Sequence, residues 1–186
     1  MVGYHRPYRK KMSNYKRVFV DGYCYFLTIV THKRNRILIS NIDLLRDSFR
    51  FSKEKYCYNI EAIVILPDHF HMMIRPEVAL HYPKIVSNIK QHFSKYCDPQ
   101  YYCHISQSKS RIKAGYKPIW QKKYYEHTIR SEDDYNIRLD YIHYNPVKHG
   151  YVTEVKDWQY SSFHQYVKNG YYDHKWGNFN KNINYE

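Results

Sequence analysis

Apolar residues along the chain fall into four short clusters that favour β-strands. Residues 23–31 are dense in aromatic and β-branched side chains, and so are residues 61–66 and 69–75, which a tight turn at Pro67 separates. Residues 120–129 form a fourth cluster with a mixed pattern. Because aromatic and β-branched side chains fit a pleated, half-buried surface, we predict a strand over each of these segments.

Two longer segments, residues 41–55 and 82–96, repeat their apolar residues every three to four positions, which indicates amphipathic helices. A third helix is predicted over residues 131–145. The third begins with a serine cap and an acidic turn, and we expect Pro146 to end it, because the residue before a proline is pushed out of the helical region. The stretch 98–118 lacks periodicity and is predicted to be a long loop.

The order of these elements is that of a ferredoxin-like α+β fold, an antiparallel sheet with helices packed on one face. At 186 residues the chain fits a single domain, 1–186, which we divide into a basic arm (1–14), a core (15–150) and a C-terminal extension (151–186). It contains no run of 18 apolar residues, no signal peptide and no C-x-x-C pair among four scattered cysteines. We therefore expect a cytoplasmic protein with reduced thiols and no membrane association.

Charge and aromatic content point to a nucleic-acid partner. The formal net charge is +13, and 23 tyrosines are interleaved with the cations. Because cations neutralise phosphates and aromatic rings stack on unpaired bases, we expect a nucleic acid with unpaired bases. A basic protein whose tyrosines only fill core and surface is the alternative. The candidate contacts lie in the arm, in the 98–118 loop and around the fourth strand: Arg6, Arg9, Lys10, Lys11, Lys109, Arg111, Lys113, Lys122, Lys123 and Arg130.

Two histidines in the third predicted strand are candidate metal ligands. Side chains alternate along a strand, so His69 and His71 project from the same face. On the last predicted helix, Tyr141 and Asn145 share a face, while Tyr144 is rotated away. If that helix crosses the sheet near the histidines, three ligands meet one ion beside a phenol, which suits attack of tyrosine on a phosphodiester. The alternative is a pair of histidines that faces solvent or is hydrogen-bonded in the core.

Several motifs stand out in addition to this geometry. They are the His-hydrophobic-His (HUH) signature His69-Phe70-His71, the pairs Trp120-Gln121 and Ile129-Arg130, the triplet Tyr125-Glu126-His127 and, most specific, the segment 140–150. Together, over about residues 15–164, they resemble the REP-associated tyrosine transposases, relatives of the single-tyrosine insertion-sequence transposases. The resemblance implies an HUH motif on a strand and a nucleophilic tyrosine on a C-terminal helix.

The activity that this resemblance implies is that of a single-stranded DNA endonuclease and strand transferase. It would depend on Mg²⁺ or Mn²⁺ and act at bacterial repeats that fold into hairpins, which makes the protein nucleoid-associated. Tyr141 falls on the nucleophile, which forms a 5′-phosphotyrosine, and His69 and His71 fall on the metal ligands. Asn145 falls where related enzymes place a polar ligand.

Other interpretations of the same residues remain open. A hairpin-binding protein of the same fold would keep the basic surface but would not cut DNA. A zinc hydrolase would use water in place of Tyr141. Whether the protein is a monomer or a homodimer is also left open, and neither the 99–118 loop nor the tail after Val167 aligns with the family.

Overall fold

A computed structural model of the chain describes residues 17–177 and contains four β-strands. They are β1 (Cys24–Val30), β2 (Tyr58–Ile65), β3 (His69–Pro76) and β4 (Tyr125–Ile129). The strands form one antiparallel sheet in the order β2-β3-β1-β4. Two strand-helix-strand units with β1 and β3 in the centre define the ferredoxin-like arrangement, so the predicted α+β fold is confirmed.

Two long helices cover one face of this sheet. Helices α1 (Ile42–Lys55) and α2 (Tyr82–Tyr96) lie where the apolar periodicity predicts them. Their buried sides pack on Leu27, Phe70 and Met72 of the central strands and form the larger part of the core. None of the helices within residues 17–177 is long and apolar enough to cross a membrane.

Helix α4 (Glu132–Lys148) covers the opposite face, which differs from the expectation of helices on one face only. The reason lies in β3, where all but one of the eight residues are buried, so that both faces of the sheet need cover. Phe70 on this strand faces α1 and α2, whereas Met73 belongs to the cluster under α4. The side chains of His69 and His71 alternate with Phe70 and therefore lie on the α4 side.

The described part of the C-terminal extension belongs to the same folded unit. A short helix, α5 (Phe163–Lys168), carries Phe163 into a cluster with Ile142 and Val155 under α4. Backbone hydrogen bonds from the segment 160–162 cover the open edge of β2. An edge covered in this way cannot pair with another chain, so the extension completes the sheet.

The region between α2 and β4 differs from the prediction in two ways. The 98–118 stretch is not a continuous loop but contains a short helix, α3 (Lys109–Lys113). Strand β4 begins at Tyr125 and not at Trp120, because the Trp120 indole turns toward α2 and donates a hydrogen bond to the Lys90 carbonyl. Residues 119–121 still hydrogen-bond to residues 30–32 at the end of β1, and residues 122–124 separate this bridge from β4.

The end of α4 was also predicted wrongly, since Pro146 lies inside the helix and does not terminate it. The helix continues to Lys148 and closes at Gly150, which has a φ of +69°. Gly150 N–H donates to the Val147 carbonyl and Tyr151 N–H to the Pro146 carbonyl, the paired bonds of a Schellman C-cap. A helix that packs over a sheet tolerates the single backbone bond that proline removes, so packing outweighs the local preference.

Candidate active site

His71 is held by a hydrogen bond across the sheet. Thr28 on β1 pairs with His71, and 2.8 Å separates Thr28 Oγ1 from His71 Nδ1. The other ring nitrogen, His71 Nε2, is buried and has no hydrogen-bond partner in the described part of the chain. A buried polar atom without a partner is costly unless a ligand completes it, so Nε2 is placed as a ligand donor.

His69 is oriented by a carboxylate. Its Nδ1–H donates to Asp68 Oδ1 at 2.6 Å, and Arg34 Nη1 donates to Asp68 Oδ2 at 3.1 Å. The Asp68 carbonyl accepts hydrogen bonds from the backbone and the hydroxyl of Thr31, which anchors the turn before β3. A carboxylate on Nδ1 leaves Nε2 with its lone pair, the usual arrangement behind a metal-bound histidine.

Burial favours the neutral form of both imidazoles. It lowers the pKa of His71 well below its usual value, and the neighbouring His69 and His149 lower it further. Burial also lowers the pKa of His69, against the opposing effect of Asp68. Burial by itself would raise the pKa of Asp68, but hydrogen bonds from His69 and Arg34 outweigh it and the pKa falls. A metal ligand must be a neutral imidazole, and this pair meets that condition near neutral pH.

Helix α4 brings Tyr141 to the two histidines. The centroid of its ring lies 5.1 Å from that of His71 and 5.8 Å from that of Phe26, and both contacts are edge to face. Tyr144, three residues on, lies beside Gly177 instead, although both tyrosines also pack on the cluster under α4. Helical geometry therefore separates the two tyrosines as the sequence predicts.

Asn145 is fully buried on the same face of α4, one turn after Tyr141. Neither its Oδ1 nor its Nδ2 has a hydrogen-bond partner within the described residues. The two histidines line one pocket with Tyr141, whereas Asn145 is not part of its lining. Its buried amide, one helical turn from Tyr141, is the additional donor that a divalent ion between the histidines would need. Within residues 17–177 no group of three or more His, Cys, Asp or Glu side chains is arranged to hold a metal, so the fit depends on the amide.

The histidines and Tyr141 line a pocket of about 420 Å³, whose other walls carry cations that sequence reasoning missed. Lys148 Nζ lies 5.1 Å from the centre of the Tyr141 ring, and the Arg138 guanidinium lies 5.5 Å from the centre of the Phe26 ring. Such side chains contact phosphates readily, so the pocket suits a phosphodiester next to Tyr141. The additional basic residues are Arg34, Arg138, Lys148 and His149.

Some of these cations had a signal in the sequence. Arg138 lies three residues before Tyr141 and so shares its helical face. Lys148 follows Tyr141 by two turns, but it lies beyond Asn145, where the predicted helix ends. Arg34 had no such signal, since it reaches Asp68 from a turn in which both Lys33 and Arg34 have a φ of +53°, a region that these residues rarely adopt.

The predicted DNA-binding residues fall into three groups. Arg111 and Lys122 line a second cavity, a groove beside α2. Four residues are exposed on the surface and line neither cavity: Lys109, Lys113, Lys123 and Arg130. Four others lie outside the described residues: Arg6, Arg9, Lys10 and Lys11.

Comparison with known proteins identifies relatives over most of the chain. The family described as "Transposase IS200 like" matches residues 19–145. A Haemophilus influenzae protein assigned by name to the REP-associated tyrosine transposases is 41% identical over 168 residues, which are 89% of this chain and 94% of that protein. The REP-associated tyrosine transposase of Escherichia coli is 34% identical over 167 residues, which are 89% of this chain and 91% of that protein.

A solved structure is similar as well. It is that of a REP-associated tyrosine transposase bound to a REP hairpin, with a TM-score of 0.72 and 33% sequence identity, and the match covers 89% of this chain and 91% of that one. Family, sequence relatives and fold thus agree. The chain belongs to the IS200-like transposase family and, within it, to the REP-associated tyrosine transposases.

Proposed function

We propose that this transposase is a metal-dependent endonuclease and strand transferase that cuts single-stranded DNA at hairpin-forming repeats. Tyr141 is the nucleophile, and cleavage leaves a covalent 5′-phosphotyrosine and a free 3′-hydroxyl. The relative bound to a REP hairpin supports a hairpin as the substrate. The observation that carries the proposal is the position of Tyr141 beside His71, with 5.1 Å between ring centroids.

Cleavage exchanges one phosphate ester bond for another. The Tyr141 oxygen forms a bond to phosphorus while the bond from phosphorus to the 3′ oxygen breaks. The phenol gives up one proton and the leaving 3′ oxygen takes up one, so the charge balances. A free phenol has a pKa of about 10 and is a poor nucleophile at neutral pH. A divalent ion held by His69, His71 and Asn145 would polarise the phosphate and offset the charge that develops on it.

The cations of the pocket would hold the scissile phosphate. Arg138 extends from the same helix as Tyr141, and Lys148 lies over the Tyr141 ring. Arg34 is fixed by its ion pair with Asp68, so that its charge is already in position before DNA binds. Cations that are positioned in advance stabilise a transition state without a cost of reorganisation.

Strand transfer is the same chemistry in reverse. A 3′-hydroxyl attacks the phosphotyrosine, a new phosphodiester forms, and Tyr141 leaves and regains its proton. One nucleophilic tyrosine holds one strand end at a time. Exchange of two strand ends therefore requires two subunits or two successive reactions.

A hairpin-binding protein of the same fold that does not cut is the second candidate. The basic groove beside α2 would serve such a protein equally well. The interior of the pocket favours the enzyme, because His71 Nε2, next to Tyr141, is buried without a partner in the described range.

The test is a denaturing gel after incubation with Mn²⁺ and a single-stranded REP-type hairpin that has unpaired flanks and a label at its 3′ end. We expect a denaturation-resistant adduct for the unmodified protein and for Tyr144→Phe. Tyr141→Phe should bind the hairpin without forming the adduct. An adduct in Tyr141→Phe would reject the assignment of the nucleophile, and hairpin binding without any adduct in the unmodified protein would favour the second candidate.

A further inference from the structure

A second cavity lies beside α2, away from Tyr141. It is a groove of about 640 Å³ between α2 and the segment 111–124, and its aromatic walls include Tyr116 and Trp120. None of the described residues in its lining is acidic, and five are cationic: Lys90, Lys95, Arg111, Lys117 and Lys122. A cationic cavity with aromatic walls suits a polyanion with unpaired bases.

Hydrogen bonds hold the walls of this groove in place. The Trp120 indole donates to the Lys90 carbonyl, and Lys90 Nζ donates to the Gln121 carbonyl. Arg111 Nη2 donates to the Trp120 carbonyl at 3.1 Å. These cations donate to carbonyl groups and not to carboxylates, so their charge is not neutralised within the groove. Burial and the nearby Arg111 accordingly lower the pKa of Lys90 to about 8.

Strand β4 is an edge of the sheet. Two consecutive residues at the start of this strand line different cavities. Tyr124 lines the groove, whereas Tyr125 lines the pocket together with His71 and Tyr141. A DNA strand that passes over this edge would therefore extend from the groove to the nucleophile.

We propose that the groove binds unpaired nucleotides that flank the hairpin and guides this strand to Tyr141. Lys95, Arg111 and Lys122 contact its phosphates, and a base stacks on the exposed ring of Tyr116. The Arg111 guanidinium lies 5.6 Å from the centroid of that ring and fixes its position. The inference rests on the proposed function for the identity of the strand, but binding in the groove requires no cleavage.

Binding can be measured in a Tyr141→Phe background, in which no adduct forms, by the fluorescence anisotropy of a short oligothymidine. Tyr116→Ala should weaken binding about fivefold to tenfold, whereas Tyr116→Phe keeps the ring and should bind as before. Lys95→Gln combined with Lys122→Gln should also weaken binding. The slope of log affinity against log salt should fall by about 0.7 for each phosphate that the variant no longer neutralises.

The matched control is Lys53→Gln combined with Lys84→Gln, which removes two exposed lysines of α1 and α2 that do not line the groove. This pair makes the same change in net charge and should alter affinity less than about twofold. Photocrosslinks from an iodouracil-substituted oligonucleotide should map to the peptide that contains Tyr116. Equal losses of affinity for the two lysine pairs, or crosslinks outside the groove, would overturn the proposal. Either result leaves the adduct test of Tyr141 unaffected.

Discussion

The ring of Tyr141 meets the ring of His71 edge to face, with 5.1 Å between centroids and 79° between planes. Tyr141 comes from α4 and His71 from β3, so the packing of helix on sheet sets this distance. Phe26 on β1 contacts both rings, at 5.6 Å from His71 and 5.8 Å from Tyr141. The proposed nucleophile and the proposed ligand are therefore positioned by a three-ring contact that belongs to the core of the fold.

Removal of one donor from the proposed ion site should stop cleavage and spare DNA binding. We expect His69→Ala, His71→Ala and Asn145→Ala each to lower the cleavage rate by about a hundredfold or more, since even outer-shell changes at metal sites cost about 10–100-fold. The hairpin affinity of each variant, measured by anisotropy, should stay within about twofold of that of the unmodified protein, because all the cations that bind phosphate are retained. His164→Ala, at an exposed position of α5, is the control and should cleave normally. Full cleavage in excess chelator would contradict the metal dependence.

The hydroxyl of Thr28 should tune the affinity for the ion. Thr28→Val keeps the shape of the side chain and removes the hydrogen bond to His71 Nδ1, so Mn²⁺ should bind about 10–100-fold more weakly. Electron paramagnetic resonance of free Mn²⁺ measures this directly. Thr128→Val makes the same chemical change on β4, outside the pocket, and should leave the affinity unchanged. Equal Mn²⁺ affinity in both variants would mean that the bond serves packing alone.

Much of the site follows from periodicity. The two-residue repeat of β3 places His69 and His71 on one face, and the four-residue spacing on α4 places Tyr141 with Asn145. The ion pair of Arg34 with Asp68 had no comparable pattern, because it joins residues 34 positions apart. It also depends on a turn in the left-handed region, which composition does not reveal when the residues are lysine and arginine.

The end of α4 is the more instructive difference. Pro146 and Gly150 give opposite signals over one turn, and the sequence does not say which of them prevails. Packing of α4 on the sheet decides for Gly150, and the additional turn brings Lys148 and His149 into the pocket. Lys148, one of three cations of the pocket that the sequence analysis did not identify, and the imidazole of His149 thus depend on one helix boundary, the kind of feature that local preference predicts least well.

The cap at Gly150 should affect both stability and cleavage. Gly150→Ala forces a side chain into a φ of +69° and should lower the free energy of unfolding by about 1 kcal/mol, measured by chemical denaturation. Gly170→Ala carries the same backbone cost at the end of α5. Because only Gly150 closes the turn that holds Lys148 and His149, cleavage by the folded protein should fall in Gly150→Ala and not in Gly170→Ala. Equal cleavage in the two variants would refute a role for this turn in the site.

DNA binding in the groove should depend on pH through Lys90. Its pKa is lowered to about 8 by burial and by Arg111, so the cation is lost as the pH rises above 8. Affinity for oligothymidine should therefore fall between about pH 7 and pH 9, and Lys90→Arg, which stays charged, should remove that dependence. The effect of Lys90 on folding stability has the opposite sign. Between about pH 8 and pH 10.5 Lys90 is protonated in the unfolded chain but not in the folded protein, so its contribution makes the free energy of unfolding rise with pH over this range. A pH dependence retained in Lys90→Arg would assign it to other groups.

The residue that carries the DNA is the most direct test of the proposed mechanism. After reaction with Mn²⁺ and a hairpin substrate, the adduct is trimmed with nuclease, digested with trypsin and sequenced by tandem mass spectrometry. Trypsin releases residues 139–148 as one peptide that contains both Tyr141 and Tyr144, so the fragment ions between these positions distinguish them. We predict a 5′-phosphate-linked nucleotide on Tyr141 and a free 3′-hydroxyl on the other DNA fragment. A nucleotide on Tyr144 would contradict the mechanism, because it would place the chemistry on the wrong face of α4.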